Sequence, residues 1–356
     1  MKNQLIRSLV SLLRPKKSAH RKQRFLIAST TALGDTLWAT PAIAALREAH
    51  PDTPLSVLTS SIGKEVLRYN PHIDELFVLE GSAFFSLCRL YKTLKQRQFS
   101  HIFLFHASQR TVLPFMALLG AEALIGTAGL NKGLDDLLTY PLPLDPTLHE
   151  IERRLHIVNQ AGAKPTSKEL SLYLSETDKR QAHDWIATLS IPKGVRCIAL
   201  HPGAKDAFKQ WPTSHFIELG RRLQKEGGYQ LFITGTPAEK TLVEETASAL
   251  PGSIPAIHLP LRSFAAFLQN MHLLITNDTG VMHVAFALRV PTLALFSPTD
   301  PMRCGPLEAK NVTILAKTPT CNPCLRKKCL SPFCLMQIGV EEVYHAAHKL
   351  LKTYAP

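Results

Sequence analysis

Short apolar runs alternate with amphipathic segments along the first half of the chain. Each run has strand length, and each following segment repeats its apolar residues at helical spacing. Strands are predicted at 25–29, 55–59, 75–79 and 101–105, and helices at 36–48, 63–69, 84–96 and 112–119. This alternation is typical of a parallel sheet with helices on its faces. Pro41 lies inside the first helix and should either kink it or mark its true first turn.

The alternation pauses and then resumes in the second half. A helix is predicted at 148–160, and the polar segment 164–178 contains a short predicted strand, 171–174, at the domain boundary. Strands then follow at 197–201, 230–234, 273–276 and 292–296, with helices at 177–189, 214–225 and 340–351. We therefore predict an α/β protein with two tandem doubly wound domains, 25–175 and 176–335, and a final segment, 336–356. Such folds bind ligands beyond the carboxyl ends of the strands, and a cleft between two domains suits them.

Composition supports two packed domains and draws attention to the N-terminus. The chain has 356 residues, 45% of them hydrophobic, and a net charge of +13. No apolar stretch is long enough to span a membrane. Residues 1–24 form a basic tail with eight lysines and arginines and no acid. Apolar residues of this tail share one side of a helical wheel: Leu5, Ile6, Leu9, Val10, Leu12 and Leu13.

Two interpretations of the tail remain open. A basic amphipathic helix can lie in a lipid interface without crossing it, which would suit contact with an anionic membrane. Alternatively, the helix packs on its own domain and a solvated basic linker follows. A cleaved signal peptide is not expected, because Arg7 interrupts the apolar run and no small-residue cleavage site follows. We therefore expect a cytoplasmic protein.

A polar turn follows the predicted strand 273–276. It consists of Asp278, Thr279 and Gly280, and the next segment has the spacing of a helix with one buried face. Backbone N–H groups at a helix start bind phosphate, Gly280 permits close approach, and the Thr279 hydroxyl can donate. Asp278 could cap the helix or accept from a sugar hydroxyl. His283, one turn into the helix, would face the same ligand.

Two further polar segments follow strands of the second half. Lys209 lies between the strand 197–201 and the next helix, where it could reach a phosphate as a point charge. The alternative is a surface lysine. Glu239 follows the strand 230–234 and could hold a ribose through its hydroxyls, or could simply begin a helix. Both residues are therefore candidates for nucleotide binding.

In the first half, Asp35 follows the strand 25–29 in the turn Leu33-Gly34-Asp35-Thr36. Capping of the next helix is the commoner role of such an aspartate. An aspartate at the carboxyl end of a strand, facing a cleft, is also well placed to act as a general base.

Four of the seven cysteines lie close together in sequence, at Cys321, Cys324, Cys329 and Cys334. Four thiols could bind structural zinc, although the spacing is not that of a standard zinc finger. The lysines and arginine among them would favour thiolates. Free thiols or a redox-labile pair are equally compatible with the sequence.

These motifs together resemble the ADP-heptose:lipopolysaccharide heptosyltransferase family. The resemblance is carried by "LGDTLWATPAIAALRE", "HPGAKDAFKQWP", "ITGTPAE", "NDTGVMHVAFALRVPTLALFSPTDP" and the cysteines that end in "CLMQIGVEEV". It implies a GT-B fold, which has two Rossmann-like domains facing a cleft. The acceptor would bind the N-terminal domain and the nucleotide sugar the C-terminal one, with the final helix packed back on the N-terminal domain.

The resemblance also implies a reaction. The family moves heptose from ADP-heptose to the lipopolysaccharide inner core, with inversion and with no required metal or other cofactor. It implies that Asp35 is the base, that Lys209 meets the diphosphate and that Glu239 holds the ribose. Thr279 and Gly280 would bind phosphate, and Asp278 would contact the sugar. A basic residue often found shortly before the Gly-Asp turn is missing here, since 28–31 is Ala-Ser-Thr-Thr, and Arg289 replaces a common glycine.

Two other functions remain as alternatives. The first is a GT-B transferase that uses another nucleotide sugar. The second is a non-catalytic protein that binds nucleotide or nucleic acid, which the sequence supports less well because the positive charge is concentrated in a terminal tail. On the favoured hypothesis the partners are a nucleotide sugar, a lipid-anchored acceptor and the cytoplasmic face of the inner membrane, with no nucleic acid.

Overall fold

The computed structural model describes residues 2–14, 22–106, 109–329 and 333–354. The chain forms two compact units, Met1–Tyr173 and Leu174–Pro356. Each unit contains a six-stranded parallel sheet with flanking helices, so the predicted α/β class is confirmed. The units divide two residues before the boundary expected from the sequence.

In the first unit the sheet order is β3-β2-β1-β4-β5-β6. Its strands are β1 Phe25–Ser29, β2 Leu55–Ser60, β3 Glu75–Leu79, β4 His101–His106, β5 Ala123–Thr127 and β6 Tyr140–Leu142. Its helices are α1 Lys2–Leu13, α2 Leu33–Leu37, α3 Thr40–Ala49, α4 Ser61–Leu67, α5 Ala83–Gln96, α6 Val112–Leu118 and α7 Glu150–Val158. Strand β1 lies at the centre and is buried along its whole length, as expected for a strand with helices on both faces.

The second unit repeats this topology, with the order β9-β8-β7-β10-β11-β12. Its strands are β7 Arg196–His201, β8 Tyr229–Thr234, β9 Ile254–Ala256, β10 Leu273–Asn277, β11 Thr292–Phe296 and β12 Val312–Ala316. Its helices are α8 Glu176–Ala187, α9 Thr213–Glu226, α10 Lys240–Ser248, α11 Leu261–Leu268, α12 Gly280–Ala287, α13 Pro301–Cys304, α14 Phe333–Met336 and α15 Val340–Tyr354. In both sheets the chain reverses its direction of progress at the central pair of strands, which is where doubly wound folds bind ligands.

Two local predictions in the first unit are corrected. The helix predicted at 36–48 is two helices, α2 and α3, because Pro41 occupies the first turn of α3, where its missing N–H is not needed. The predicted strand 171–174 does not form. Its Ser171 N–H donates to the Thr40 hydroxyl at 3.0 Å instead of to a neighbouring strand.

Helix α15 packs on the sheet of the second unit, and the contact with the first unit that the family resemblance implies stays a prediction. The apolar side of α15 is buried in the core of the second unit, where Val343 and Leu350 join residues such as Leu200, Trp211 and Leu293. The physical reason is the spacing of its apolar residues, which gives α15 one continuous face, and the second sheet offers an apolar surface that this face can cover.

The N-terminal tail forms helix α1, whose Val10 and Ile6 pack against the core of the first unit. This agrees with the interpretation of a helix packed on its own domain, but only for part of its apolar surface. Residues 15–21 of the predicted tail lie outside the described residues. Within the described ranges, every helix is too short or too polar to cross a bilayer.

Candidate active site

Three of the predicted site residues, Asp35, Lys209 and Asp278, lie at the central strand pair of their sheets. In the first unit, Asp35 follows β1, and His106 is the last residue of the adjacent strand β4. In the second unit, Lys209 lies beyond β7, and Asp278 directly follows its neighbour β10. The topology therefore places all four residues where open α/β sheets bind ligands.

Asp35 does not cap a helix. Helix α2 begins after Ala32, and Asp35 lies in its first turn, with no capping bond from the side chain of Ala32. Its Oδ1 instead accepts a hydrogen bond from Arg154 Nη2 at 3.1 Å. Its side chain is one quarter exposed, so the carboxylate is accessible from solvent while one of its oxygens is held in position.

Arg154 is a residue that the sequence analysis missed. Its side chain is only 1% exposed, and a buried guanidinium needs anionic partners to offset the loss of hydration. Besides Asp35, it contacts Glu150, to whose carboxylate and backbone oxygen Nη1 donates at 3.0 and 2.7 Å. The guanidinium also lies over the ring of Trp38, 5.4 Å from the centroid. The only sequence signal was the Glu150–Arg154 spacing of four residues, which is common on exposed helices.

Arg154 also supplies a positive charge that the sequence before the Gly-Asp turn lacks. The segment before the Gly-Asp turn has no basic residue, yet a cation from α7 contacts the aspartate of that turn. The ion pair joins residues 119 positions apart. A positive charge therefore does accompany Asp35, although it comes from a distant helix.

His106 is a second residue that the sequence analysis missed. Its backbone oxygen accepts from Thr30 N–H at 3.3 Å, next to the end of β1. Burial lowers the pKa of its imidazole, while the Asp35 carboxylate raises it and the Arg154 guanidinium lowers it. A neutral imidazole is therefore favoured beside Asp35 near neutral pH.

In the second unit, Lys209 and Asp278 form an ion pair, with Lys209 Nζ 2.5 Å from Asp278 Oδ2. Lys209 ends a short 3₁₀ helix, Ala207–Lys209, and is about one quarter exposed, whereas Asp278 is 7% exposed. Asp278 does not cap α12, whose N-cap residue is Thr279. The alternative of an isolated surface lysine is thus excluded, and the two predicted donor-binding residues lie in direct contact.

Asn277 holds this region together. Its side chain is fully buried, and its Nδ2 donates to the backbone oxygens of Pro202 and Gly203 at 2.8 and 3.2 Å. Its Oδ1 accepts from Trp211 N–H at 2.9 Å. One amide therefore fixes the turn after β7, the segment after Lys209 and the end of β10. No role for Asn277 was predicted from the sequence.

Helix α12 begins directly beyond Asp278. Gly280 is its first residue, and the N–H groups of its first turn lack intrahelical acceptors, as at any helix start. Thr279 Oγ1 is buried and has no hydrogen-bond partner among the described residues. His283 is buried one turn into the helix, with its ring 5.8 Å from that of Phe286. This helix start therefore offers several donors suited to an anion.

Glu239 lies against the turn after β7. A Cβ atom added to Gly203 would be 2.1 Å from Glu239 Oε1, so a larger residue at this position would have to displace the carboxylate. The other oxygen, Oε2, accepts from the N–H and hydroxyl of Thr236, both at 2.8 Å, in a capping box. Glu239 thus has the structural role that the sequence left open, and its Oε1 lies next to the turn that Asn277 fixes.

The cysteine cluster extends from the segment after β12 into α14, which contains Cys334. Burial raises the pKa of Cys324, and a hydrogen bond with Cys321 also raises it, whereas the Arg326 N–H lowers it. Burial opposes ionisation of Cys334, but the Thr320 N–H and hydroxyl lower its pKa, with Thr320 N 3.4 Å from Sγ. In the described part of the chain no three His, Cys, Asp or Glu side chains converge to hold a metal ion.

Comparison with protein families gives one match that covers most of the chain. Glycosyltransferase family 9 (heptosyltransferase) matches residues 88–333. Among curated proteins, lipopolysaccharide heptosyltransferase 1 of Pseudomonas aeruginosa is 25% identical over 324 residues, covering 86% of this chain and 87% of that protein. Lipopolysaccharide heptosyltransferase 3 of Escherichia coli is 25% identical over 346 residues, covering 91% and 96%.

Solved structures share the fold. The family 9 glycosyl transferase of Veillonella parvula superposes with a TM-score of 0.80 at 23% identity, covering 93% of this chain and 97% of that one. The E. coli ADP-heptose lps heptosyltransferase II gives a TM-score of 0.75 at 20% identity, covering 93% and 99%. The two six-stranded sheets described above are therefore those of the GT-B fold.

Proposed function

This chain belongs to glycosyltransferase family 9 (heptosyltransferase), and from that membership we propose that it transfers heptose from ADP-heptose to the lipopolysaccharide inner core with inversion. The chain is a glycosyltransferase. The acceptor and the sugar are supported by the curated relatives named lipopolysaccharide heptosyltransferases. The donor nucleotide is supported by related E. coli structures of WaaC with ADP and with ADP-2-deoxy-2-fluoro heptose.

One observation carries the proposal. The central strand pairs of the two sheets present complementary chemistry. The first unit has a carboxylate held by a buried arginine, and the second has a lysine beside a helix start. A carboxylate near an alcohol can accept its proton as the alcohol attacks. Cationic and N–H donors are what a departing diphosphate needs.

The acceptor half of the reaction is assigned to the first unit. The Asp35 carboxylate takes the proton of the acceptor hydroxyl as its oxygen bonds to the anomeric carbon of the donor. Arg154 holds Oδ1, and the described residues provide no hydrogen-bond partner for Oδ2, which is the oxygen we assign to the acceptor hydroxyl. Because His106 favours its neutral form, it adds no cation to compete for the carboxylate.

The donor half is assigned to the second unit. As the new bond forms, the bond from the anomeric carbon to the diphosphate oxygen breaks on the opposite face, which inverts the configuration. The electron pair of that bond goes to the diphosphate. Lys209, the Thr279 hydroxyl and the N–H groups that begin α12 would stabilise this charge. Asp278 would accept from hydroxyls of the sugar, and Glu239 from those of the ribose.

The same proposal includes a location. The acceptor is lipid-anchored, so the reaction would take place at the cytoplasmic face of the inner membrane.

The proposal is tested with ADP-heptose and a panel of truncated lipopolysaccharide acceptors. We expect transfer by the wild-type chain and loss of transfer by Asp35→Asn, with ADP binding measured by calorimetry unchanged. Asp52→Asn, an exposed aspartate of the same unit, is the matched control and should retain transfer. Calorimetry with UDP and GDP distinguishes the alternative, because tighter binding of UDP would indicate another nucleotide sugar.

A further inference from the structure

Helix α1 is attached to the first unit by one of its sides. Val10 is buried, and Ile6 packs beside it against the core to which α6 contributes. Polar contacts fix the same helix. Arg7 Nη2 donates to the Gly133 oxygen at 2.9 Å, and its Nε lies 2.9 Å from Asp136 Oδ2. The helix therefore has a defined orientation on the unit.

Another side of α1 is apolar and faces solvent. It carries four leucines, which we call the leucine stripe: Leu5, Leu9, Leu12 and Leu13, with exposed fractions of 72%, 54%, 81% and 54%. Their spacing of four, three and one residues keeps them on one side of the helix. A contiguous exposed apolar surface of this kind usually marks an interaction site, because scattered single residues are the norm elsewhere.

A second exposed apolar group lies at the start of α5. Phe85 is 73% exposed, and its neighbour Phe84 contacts Phe115 of α6, with ring centroids 5.9 Å apart. Helix α6 therefore supports both α1 and the first turn of α5. Two exposed apolar surfaces flank one helix of the first unit.

The charge of the adjoining sequence identifies the partner. Residues 1–24 contain no acid. Six basic residues lie within 14–24, directly after the stripe: Arg14, Lys16, Lys17, Arg21, Lys22 and Arg24. A second copy of the chain docked on the stripe would bring two such segments together, and like charges repel. An anionic lipid surface offers both an apolar layer and the opposite charge.

We propose that the leucine stripe inserts into the headgroup boundary of an anionic bilayer, with α1 lying parallel to the surface and the positive charge of the adjoining sequence 14–24 adding electrostatic attraction to the anionic lipids. An apolar face and a basic segment are the two signals that stable peripheral binding requires. The inference rests on the proposed function in one respect, because a lipid-anchored acceptor is the reason for the protein to bind a membrane. Binding itself can be measured without any acceptor.

The test uses the full chain and sedimentation with two kinds of vesicle. One is phosphatidylcholine alone, and the other contains about a quarter phosphatidylglycerol. We expect binding to the anionic vesicles and a roughly hundredfold lower partition coefficient for the double variant Leu9→Ser/Leu12→Ser. The matched control is Met302→Ser/Leu325→Ser, which changes two exposed apolar residues of the second unit and should bind like the wild type. Lys16→Gln/Lys17→Gln should reduce binding to the anionic vesicles only.

Three results would overturn the inference. They are equal vesicle binding by the stripe variant and the wild type, no wild-type binding to anionic vesicles, and a dimer in ultracentrifugation that the stripe variant abolishes. Folding of the variant is checked by its melting temperature, which should be unchanged because both leucines are exposed. Measuring heptose transfer to a water-soluble truncated acceptor distinguishes the docking surface from the proposed function. If the wild type binds vesicles without transferring heptose, the proposed function fails and the docking surface stands.

Discussion

The buried guanidinium of Arg154 donates a hydrogen bond to Asp35 Oδ1 at 3.1 Å while its other terminal nitrogen holds Glu150. The contact joins α7 to the turn after β1. It means that the proposed base is not a lone carboxylate on a loop, because its orientation is set by a side chain that is itself enclosed. A catalytic carboxylate fixed in this way loses less entropy when it engages the acceptor.

Arg154 should therefore act as a positioning residue. We expect Arg154→Gln to lower kcat about a hundredfold through misplacement of Asp35, with the KM for the donor nearly unchanged. Removing one partner of a buried ion pair should also cost about 3–5 kcal/mol of unfolding free energy, measured by urea titration. Arg154→Lys should recover part of kcat.

Arg153 provides the control for that experiment. It pairs with the same Glu150, 2.9 Å from its Oε1, and has no bond to Asp35. Arg153→Gln should destabilise the unit and leave kcat close to that of the wild type. A similar fall in kcat for both variants would show that the effect comes from disruption of α7 and not from Asp35.

Lys209 should contribute to donor affinity through its charge. We expect Lys209→Met to weaken binding of ADP, measured by calorimetry, by roughly tenfold to a hundredfold, since hydrogen bonds to charged groups contribute about 1.5–3 kcal/mol. Lys205→Met removes an exposed cation from the same loop and should have little effect. Equal losses for the two variants would point to nonspecific attraction instead of a direct contact.

Thr279→Val should affect the melting temperature and the affinity for ADP differently. The Thr279 hydroxyl is buried without a partner among the described residues, which costs free energy in the folded state. A valine of similar shape should leave the melting temperature unchanged or raise it, while ADP binding weakens roughly tenfold through loss of the donor. Unaltered ADP affinity would remove Thr279 from the phosphate site.

Stability should fall on mild acidification. Burial lowers the pKa of His201, against an opposing effect of Glu239, and burial also lowers the pKa values of His101 and His106. Below about pH 6.5 the unfolded chain binds more protons than the folded chain. Above that pH, the contribution of these histidines to the unfolding free energy is fully present. It decreases as the pH falls toward the lowered pKa values, by up to about 1.4 kcal/mol per pH unit for each histidine.

Urea unfolding at a series of pH values measures this slope. His201→Asn should make it shallower, because the amide can bond to Thr234, whose hydroxyl is 3.0 Å from His201 Nδ1, without taking up a proton. The exposed His183→Asn is the control. A slope that both substitutions leave unchanged would assign the acid sensitivity to other groups.

Much of the fold was predictable because its signals are local. The period of apolar residues identified the central strands, and the glycines and acids after them identified Asp35, Asp278 and Gly280. Strands β5 and β12 were not predicted, and neither were the three-residue strands β6 and β9. Both β6 and β9 are edge strands that contain a proline, which such strands tolerate because one side of the strand has no ladder partner.

The sequence by itself determined the tandem α/β domains, the polar turns at the strand ends and the family resemblance, since each depends on residues that are close together in the chain. Only the tertiary structure decided which of those residues meet. Arg154 reaches Asp35 across 119 positions and Lys209 reaches Asp278 across 69, because the sheet order makes distant strand ends neighbours. The apolar surface of α1 was likewise divided between core and solvent by the single side of the helix that the first unit could cover.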